Sequence, residues 1–148
     1  ERRKGEIRGF LWLSEQEPSF AKQYGNLQYD ESFDLTPLRL NGKVYSTGLG
    51  THAPSEIRFD LDGKYSTFES DVGVDDLQRG TPGSVIFRVV VDEKNAFSSH
   101  VLVGGSPHET VRIDLTGAKT LTLIVEDAGD GNHNDHADWA DAKLTLKR

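Results

Sequence analysis

The chain has 148 residues, of which 35% are hydrophobic and 28% charged, with a net charge of −7 and no cysteine. That is one globular domain's worth of sequence, with enough apolar residues to bury a core. It excludes disulfides and thiolate metal sites, and an acidic surface disfavours nucleic acid and anionic membrane, whose phosphates require a basic face.

No apolar run approaches the ~20 residues that span a bilayer. The chain does not begin with methionine, and it reads as a piece of a longer protein. Residues 1–8 are a charged linker remnant, and residues 9–148 form the domain. Residues 10–13, Phe-Leu-Trp-Leu, are the first strand candidate. Residues 15–34 are polar and aromatic together, with Phe20, Tyr24, Tyr29 and Phe33 but no helical period, and read as irregular loop with a short strand.

Residues 37–45 surround Asn41-Gly42, a strong hairpin signal. Residues 55–61 alternate, placing Ile57, Phe59 and Leu61 on one face, and residues 67–74 place Phe68, Ser70 and Val72 inward. Residues 84–92 put Val85, Phe87, Val89 and Val91 on one face, with Ile86, Arg88 and Val90 on the other. Strands over 99–103, 110–115, 120–125 and 143–146 complete the series, separated by turn chemistry at 92–95, 104–107 and 116–117. Many short strands with turn signals about every 8–12 residues predict an all-β sandwich or barrel.

The stretch 127–141 carries five aspartates, two asparagines, two histidines, two glycines and one tryptophan between two strand candidates. It reads as a loop and its exit, the usual place for a binding site on a rigid sheet. Asp127, Asp130, Asn132, Asn134 and Asp135 supply hard oxygen donors on a glycine-containing loop, which suits calcium. The same side chains could instead cap their own backbone in a solvated turn. His133, His136 and His52 raise zinc, but three histidines crowded by aspartates do not define a tetrahedral site.

Trp139 suits either the core or a platform beneath a sugar ring, with Trp12, Tyr24 and Tyr29 as rival platforms. Asp75 and Asp76 could accept hydrogen bonds from sugar hydroxyls, cap a turn, or meet Arg79. A glycosidase also needs paired carboxylates, but nothing in the spacing sets their separation. Nucleophile-elbow, zinc-protease and phosphate-loop motifs are absent from the sequence.

Gly48-Leu-Gly-Thr-His-Ala53, then Gly73-Val-Asp-Asp76, then Asp127-Ala-Gly-Asp-Gly131 and Asp135-His-Ala-Asp-Trp-Ala-Asp-Ala142 together resemble the NPCBM domain, also called carbohydrate-binding module family 51. The resemblance implies a jelly-roll β-sandwich of the galactose-binding-domain type with a bound calcium. It also implies a non-catalytic module that attaches a bacterial glycoside hydrolase in cis to glycans ending in a galactose-like sugar. Such a module is a secreted or cell-surface monomer. The segments holding His52, Asp75, Asp76, Asp135, His136 and Trp139 are expected to meet at one end of the sandwich, with Trp139 or Tyr24 beneath the sugar. The alternative is a structural or protein-interaction module whose calcium only stiffens its loops.

Overall fold

Phe87 and Trp139 meet edge to face at the middle of the molecule, their ring centroids 5.0 Å apart, each without solvent exposure. One comes from a run of alternating apolar residues and the other from the acidic stretch, and around them two sheets close on a shared core. The structure, a computed structural model, describes residues 8–23, 25–129 and 134–147.

In chain order the strands are β1 (Phe10–Trp12), β2 (Phe20–Gln23), β3 (Gln28–Tyr29), β4 (Leu38–Leu40), β5 (Lys43–Tyr45), β6 (Gly48–His52), β7 (Ser55–Asp60), β8 (Tyr65–Val74), β9 (Ser84–Val91), β10 (Lys94–Ser98), β11 (Leu102–Val103), β12 (Glu109–Asp114), β13 (Thr120–Glu126) and β14 (His136–Leu146). Short 3-10 turns cover Leu13–Glu15 and Asp76–Gln78.

The first sheet runs β12-β8-β14-β6-β3, with β1 also paired to β14; the second runs β10-β9-β13-β7-β2, with β11 paired to β9. From β6 to β9 the chain alternates between sheets at every step, and again from β12 to β14. This is the all-β sandwich that the alternating sequence predicts, of the jelly-roll type that the family resemblance implies. Ile57, Phe59, Phe68, Val72, Val85, Phe87, Val89, Leu121, Leu123 and Trp139 fill the space between the sheets, with Ser70 buried beside them.

The two-residue turns behave as their residue types demand. Asn41 and Gly42 have φ of 51° and 84°, the left-handed pair that joins β4 to β5 without splaying them. Leu38, Leu40 and Tyr45 of this hairpin pack with Ala140 on the outer face of the first sheet and form a second, smaller core. The part of the first sheet under the hairpin is therefore covered on both faces.

Several strand assignments differ from the pattern reading, among them 99–103, of which only Leu102–Val103 forms a strand. The segment 92–95, taken as a turn, is a turn only at Asp92 and Glu93, with φ of 48° and 68°, and β10 begins at Lys94. Gly48–His52, a motif block to which the pattern assigns no strand, is itself a strand. The last strand is not confined to residues 143–146 but begins at His136 and pairs with both β6 and β8. Side chains with the composition of a loop can occupy a central strand when both flanking strands supply hydrogen-bond ladders.

Candidate functional site

The three motif segments do converge. Along β14, His136 stands opposite His52 of β6, and Asp138 stands between Gly50 of β6 and Gly73 of β8. The end of β6, the end of β8 and the start of β14 thus form one edge of the first sheet. Gly50 extends this edge into a site. A Cβ there would collide with the backbone of Glu31, Ser32 and Phe33, so glycine lets that loop lie flat across β6. Phe33 then packs edge-on against both histidine rings, at centroid distances of 4.9 Å from His52 and 5.0 Å from His136. The two imidazoles are 5.0 Å apart.

His136 Nδ1 lies 3.2 Å from both Asp34 Oδ2 and Gln78 Nε2, and Gln78 Nε2 lies 3.2 Å from the same Asp34 oxygen. One amide nitrogen carries two hydrogens, so Gln78 can donate to the carboxylate and to the ring nitrogen together. Burial pushes the His136 imidazole below its ordinary value of 6.5, opposed by the Asp34 carboxylate and assisted by His52. Nδ1 donates to Asp34 in one tautomer of the ring and accepts from Gln78 in the other. His52 Nδ1 donates to its own neighbour's carbonyl, that of Ala53, at 2.7 Å.

Of this group, the Asp34 side chain is the exposed member, at 44% against 12% for His136. A groove of about 530 Å³ is bordered by Thr36, Arg39, Asp75, Asp76, Leu77 and Arg79, so the chain neighbours of Gln78 on both sides line it. Its rim offers the Asp76 carboxylate, guanidinium donors and the half-exposed Leu77 side chain. That is the chemistry of a shallow polyol site. A buried general acid–base pair flanking a cleft would need a different arrangement.

Several expected site residues have other work. Trp139 is fully buried between Phe87 and Phe68, so it belongs to the core and cannot act as a platform. Asp75 is 2% exposed; its oxygens accept the Leu77 N–H at 3.0 Å and the Arg39 N–H at 3.2 Å, capping the short helical turn and holding the hairpin. Asp135 is 1% exposed and its Oδ1 accepts the Ser84 N–H at 2.8 Å. Neither Asp75 nor Asp135 presents a surface to a sugar.

Asp76 lines the groove, but its carboxylate also accepts the N–H groups of Asn41 at 3.0 Å and Gly42 at 2.8 Å, fastening the hairpin turn to the site. Tyr24, Asp130, Asn132 and His133 lie outside the described residues. Of the other expected calcium ligands, Asp127 Oδ1 accepts the Gly129 N–H at 2.8 Å, and Asn134 sits at φ 59° at the foot of β14. A Cβ on Gly83 would strike the Asn134 carbonyl, so the loop base is pressed against the start of β9. Among the described residues no three histidine or carboxylate side chains form a metal cluster.

Asp34, Gln78 and Phe33 were not legible as site residues. Asp34 and Phe33 fall in the stretch without period, and Gln78 is 44 residues from Asp34 and 58 from His136. The two glycines of the Gly48-Leu-Gly50 motif are the local hint that another backbone passes close by.

The fold and the site define a β-sandwich module with a polar groove at one end. Residues 9–145 match the NPCBM/NEW2 domain, and the chain belongs to that family. A solved family-51 carbohydrate-binding module from the GH95 enzyme of Clostridium perfringens, in complex with methyl-galactose, is 40% identical with a TM-score of 0.88, covering 92% of this chain and 99% of that one. A putative endo-alpha-N-acetylgalactosaminidase of Renibacterium salmoninarum is 39% identical over 75% of this chain, and an alpha-1,3-galactosidase B of Akkermansia muciniphila is 36% identical over 81%. The chain spans 7% and 15% of the length of those two enzymes.

Proposed function

We propose that this chain is an ancillary module that binds a terminal galactose-like sugar and so holds an attached glycoside hydrolase on its glycan. The observation that carries the reading is the Asp34–Gln78–His136 cluster, whose Gln78 stands in the chain between the groove-lining Leu77 and Arg79. It offers a fixed, partly exposed carboxylate acceptor, with the mostly buried His136 imidazole and Phe33 behind it. A hexose alternates hydroxyl donors and acceptors around its ring, and such groups can answer it without a net charge. The 40% identical module with bound methyl-galactose and the galactoside-directed relatives support the choice of sugar. Affinity at one shallow site is weak, and tethering makes it useful by raising the local concentration of the attached catalytic domain.

Calcium is part of this proposal, held by the oxygen-rich loop through Asp127, Asn134 and Asp135 with their neighbours in the stretch. Ions bound by the native state raise the melting temperature by mass action, and chelation reverses the gain. An unchanged melting temperature in excess calcium and in chelator would remove calcium from the proposal. We place the module outside the cell, acting as a single copy beside its enzyme.

Titration calorimetry with methyl galactoside tests the sugar site. Asp34→Ala is expected to abolish the binding heat while leaving the fold intact, because Asp34 is the most exposed member of the cluster and lies outside the core. Retained binding in that variant would move the site elsewhere.

A further inference from the structure

The outer face of the first sheet carries a second groove, of about 320 Å³, between β1 and β12. Trp12 borders it, and Glu69, Asp71, Thr110, Arg112 and Lys143 line it. We propose that this groove is a second sugar subsite, taking a neutral pyranose of an extended glycan with Trp12 as its aromatic wall. The proposal rests on the carbohydrate-binding reading above.

The aromatic wall comes from strand alternation. In β1, Leu11 points into the core while Phe10 and Trp12 face outward. Phe10 has the Arg8 guanidinium 5.0 Å and the Lys143 ammonium 5.2 Å from its ring centroid, and it stands edge-to-face with Trp12 at 5.1 Å. The cations engage Phe10, and it is Trp12 that borders the groove. An electron-rich indole face attracts the polarised C–H bonds on the apolar side of a pyranose, as it attracts an aromatic edge or a cation.

The polar walls are held rigid. Asp71 accepts the Tyr45 hydroxyl at Oδ2 and the Thr110 hydroxyl at Oδ1, each at 2.8 Å, with the His108 imidazole 3.7 Å away. A carboxylate pinned in this way keeps lone pairs for a ligand hydroxyl without paying rotamer entropy on binding. On the other side Arg112 and Lys143 both pair with Glu69, yet the Arg112 side chain remains 70% exposed, so part of its fork faces solvent.

These pairings select the ligand class. A sulfated or carboxylated sugar would have to compete with Glu69 for both cations while facing Asp71. A cationic ligand would meet Glu69 already paired with Arg112 and Lys143, and Asp71 and Asp141, which also lines the groove, already accepting hydroxyl hydrogens. A neutral polyol meets both donors and acceptors without breaking an ion pair. The groove also adjoins the end site: Asn41, whose N–H binds Asp76, accepts the His108 N–H at 2.8 Å, and His108 in turn approaches Asp71.

The chain's two tryptophans provide the experiment. The 15N-labelled domain is titrated with methyl galactoside and with lacto-N-neotetraose, a neutral galactose-terminated tetrasaccharide, while both indole N–H resonances are followed. The Trp12 indole is expected to move with the tetrasaccharide, while that of buried Trp139 stays fixed. Trp12→Ala should weaken the tetrasaccharide roughly tenfold and leave methyl galactoside affinity unchanged. Thr110→Val, at an exposed strand position, should weaken it in the same sense if Trp12→Ala proves unstable. In Asp34→Ala, methyl galactoside binding should vanish while the Trp12 indole still responds to the tetrasaccharide. A stationary Trp12 indole with end-site resonances moving, or equal tetrasaccharide affinity in the parent and both groove variants, overturns the second subsite alone. Failure of both sugars to perturb any resonance overturns it together with the galactose reading.

Discussion

Two central strands, β9 and β14, pose opposite problems to a reader of the sequence. In β9 the buried residues Val85, Phe87 and Val89 alternate with Ile86, Arg88 and Val90, which are partly exposed, so the strand declares both itself and its facing. In β14 the consecutive residues Ala137, Asp138, Trp139 and Ala140 are all completely buried, although their neighbours make the segment look like a polar loop. Trp139 and Ala137 point into the sandwich, while Asp138 and Ala140 lie under the β4–β5 hairpin. Alternation is legible where one face of a strand meets water. It vanishes where a distant element covers the second face.

The cost of that second cover is visible at Asp138. Burial pushes its carboxyl well above its ordinary value of 3.8, and the neighbouring Asp75 carboxyl pushes in the same direction. Neither oxygen of Asp138 meets an ordinary donor side chain. Two ionised carboxylates cannot hydrogen-bond each other, so the proton that Asp138 retains supplies the link to Asp75. The pair resembles a catalytic dyad in chemistry but lies beneath the hairpin, and Asp75 is already committed to the Arg39 and Leu77 N–H groups.

The contrast between the two strands can be tested by substitution. The largest effect belongs to their meeting point: Phe87→Ala and Trp139→Ala should each lower the unfolding free energy by about 3–5 kcal/mol in denaturant titrations. Arg88→Ala, on the exposed side of β9, should cost far less despite its 3.1 Å contact with Glu126, because exposed ion pairs contribute little. Equal losses at Phe87 and Arg88 would reverse the facing of β9.

Next comes the cover. Leu40→Ala removes a 1% exposed side chain from the small hairpin core and should cost about 2–3 kcal/mol, the lower part of the range for such deletions. It should also speed hydrogen exchange across β4 and β5 more than across β9. A uniform increase over all strands would mean that the hairpin does not open separately.

A smaller loss, about 1–2 kcal/mol, is expected for Asp76→Ala, which strips two N–H groups at the hairpin turn of their acceptor. Reduced sugar affinity without any loss of thermal stability would show that its role is contact with ligand rather than support of the turn.

Asp138→Asn should have the smallest effect near neutral pH, and its sign is opposite. The folded state keeps a proton on Asp138 where the unfolded chain has released it. This group's contribution is therefore fully present below about 3.8 and is lost as pH rises through the raised folded value. Asparagine supplies a permanent donor to Asp75, so the variant should match or exceed the parent's melting temperature at pH 7 and lose that part of the pH slope. A strongly destabilised Asp138→Asn would show that the carboxyl itself, rather than its proton, is required.

What the sequence by itself determined is local. Period-two alternation established the all-β class and the inward faces of β7, β8 and β9, because successive side chains of a strand point to opposite sides. Asn41-Gly42 marked its hairpin because few residues accept two left-handed conformations in succession. The ordered motif blocks identified the family. The tertiary structure decided everything that depends on which strands become neighbours. It turned a loop-like acidic stretch into a central strand, sent Trp139 to the core, and gave Asp75 and Asp76 to the backbone of a hairpin. It also assembled Asp34, Gln78 and His136 across separations of 44 and 58 residues. No sequence pattern specifies such partners, because a side chain's propensity is set by its own backbone and its burial by elements that arrive from elsewhere in the chain.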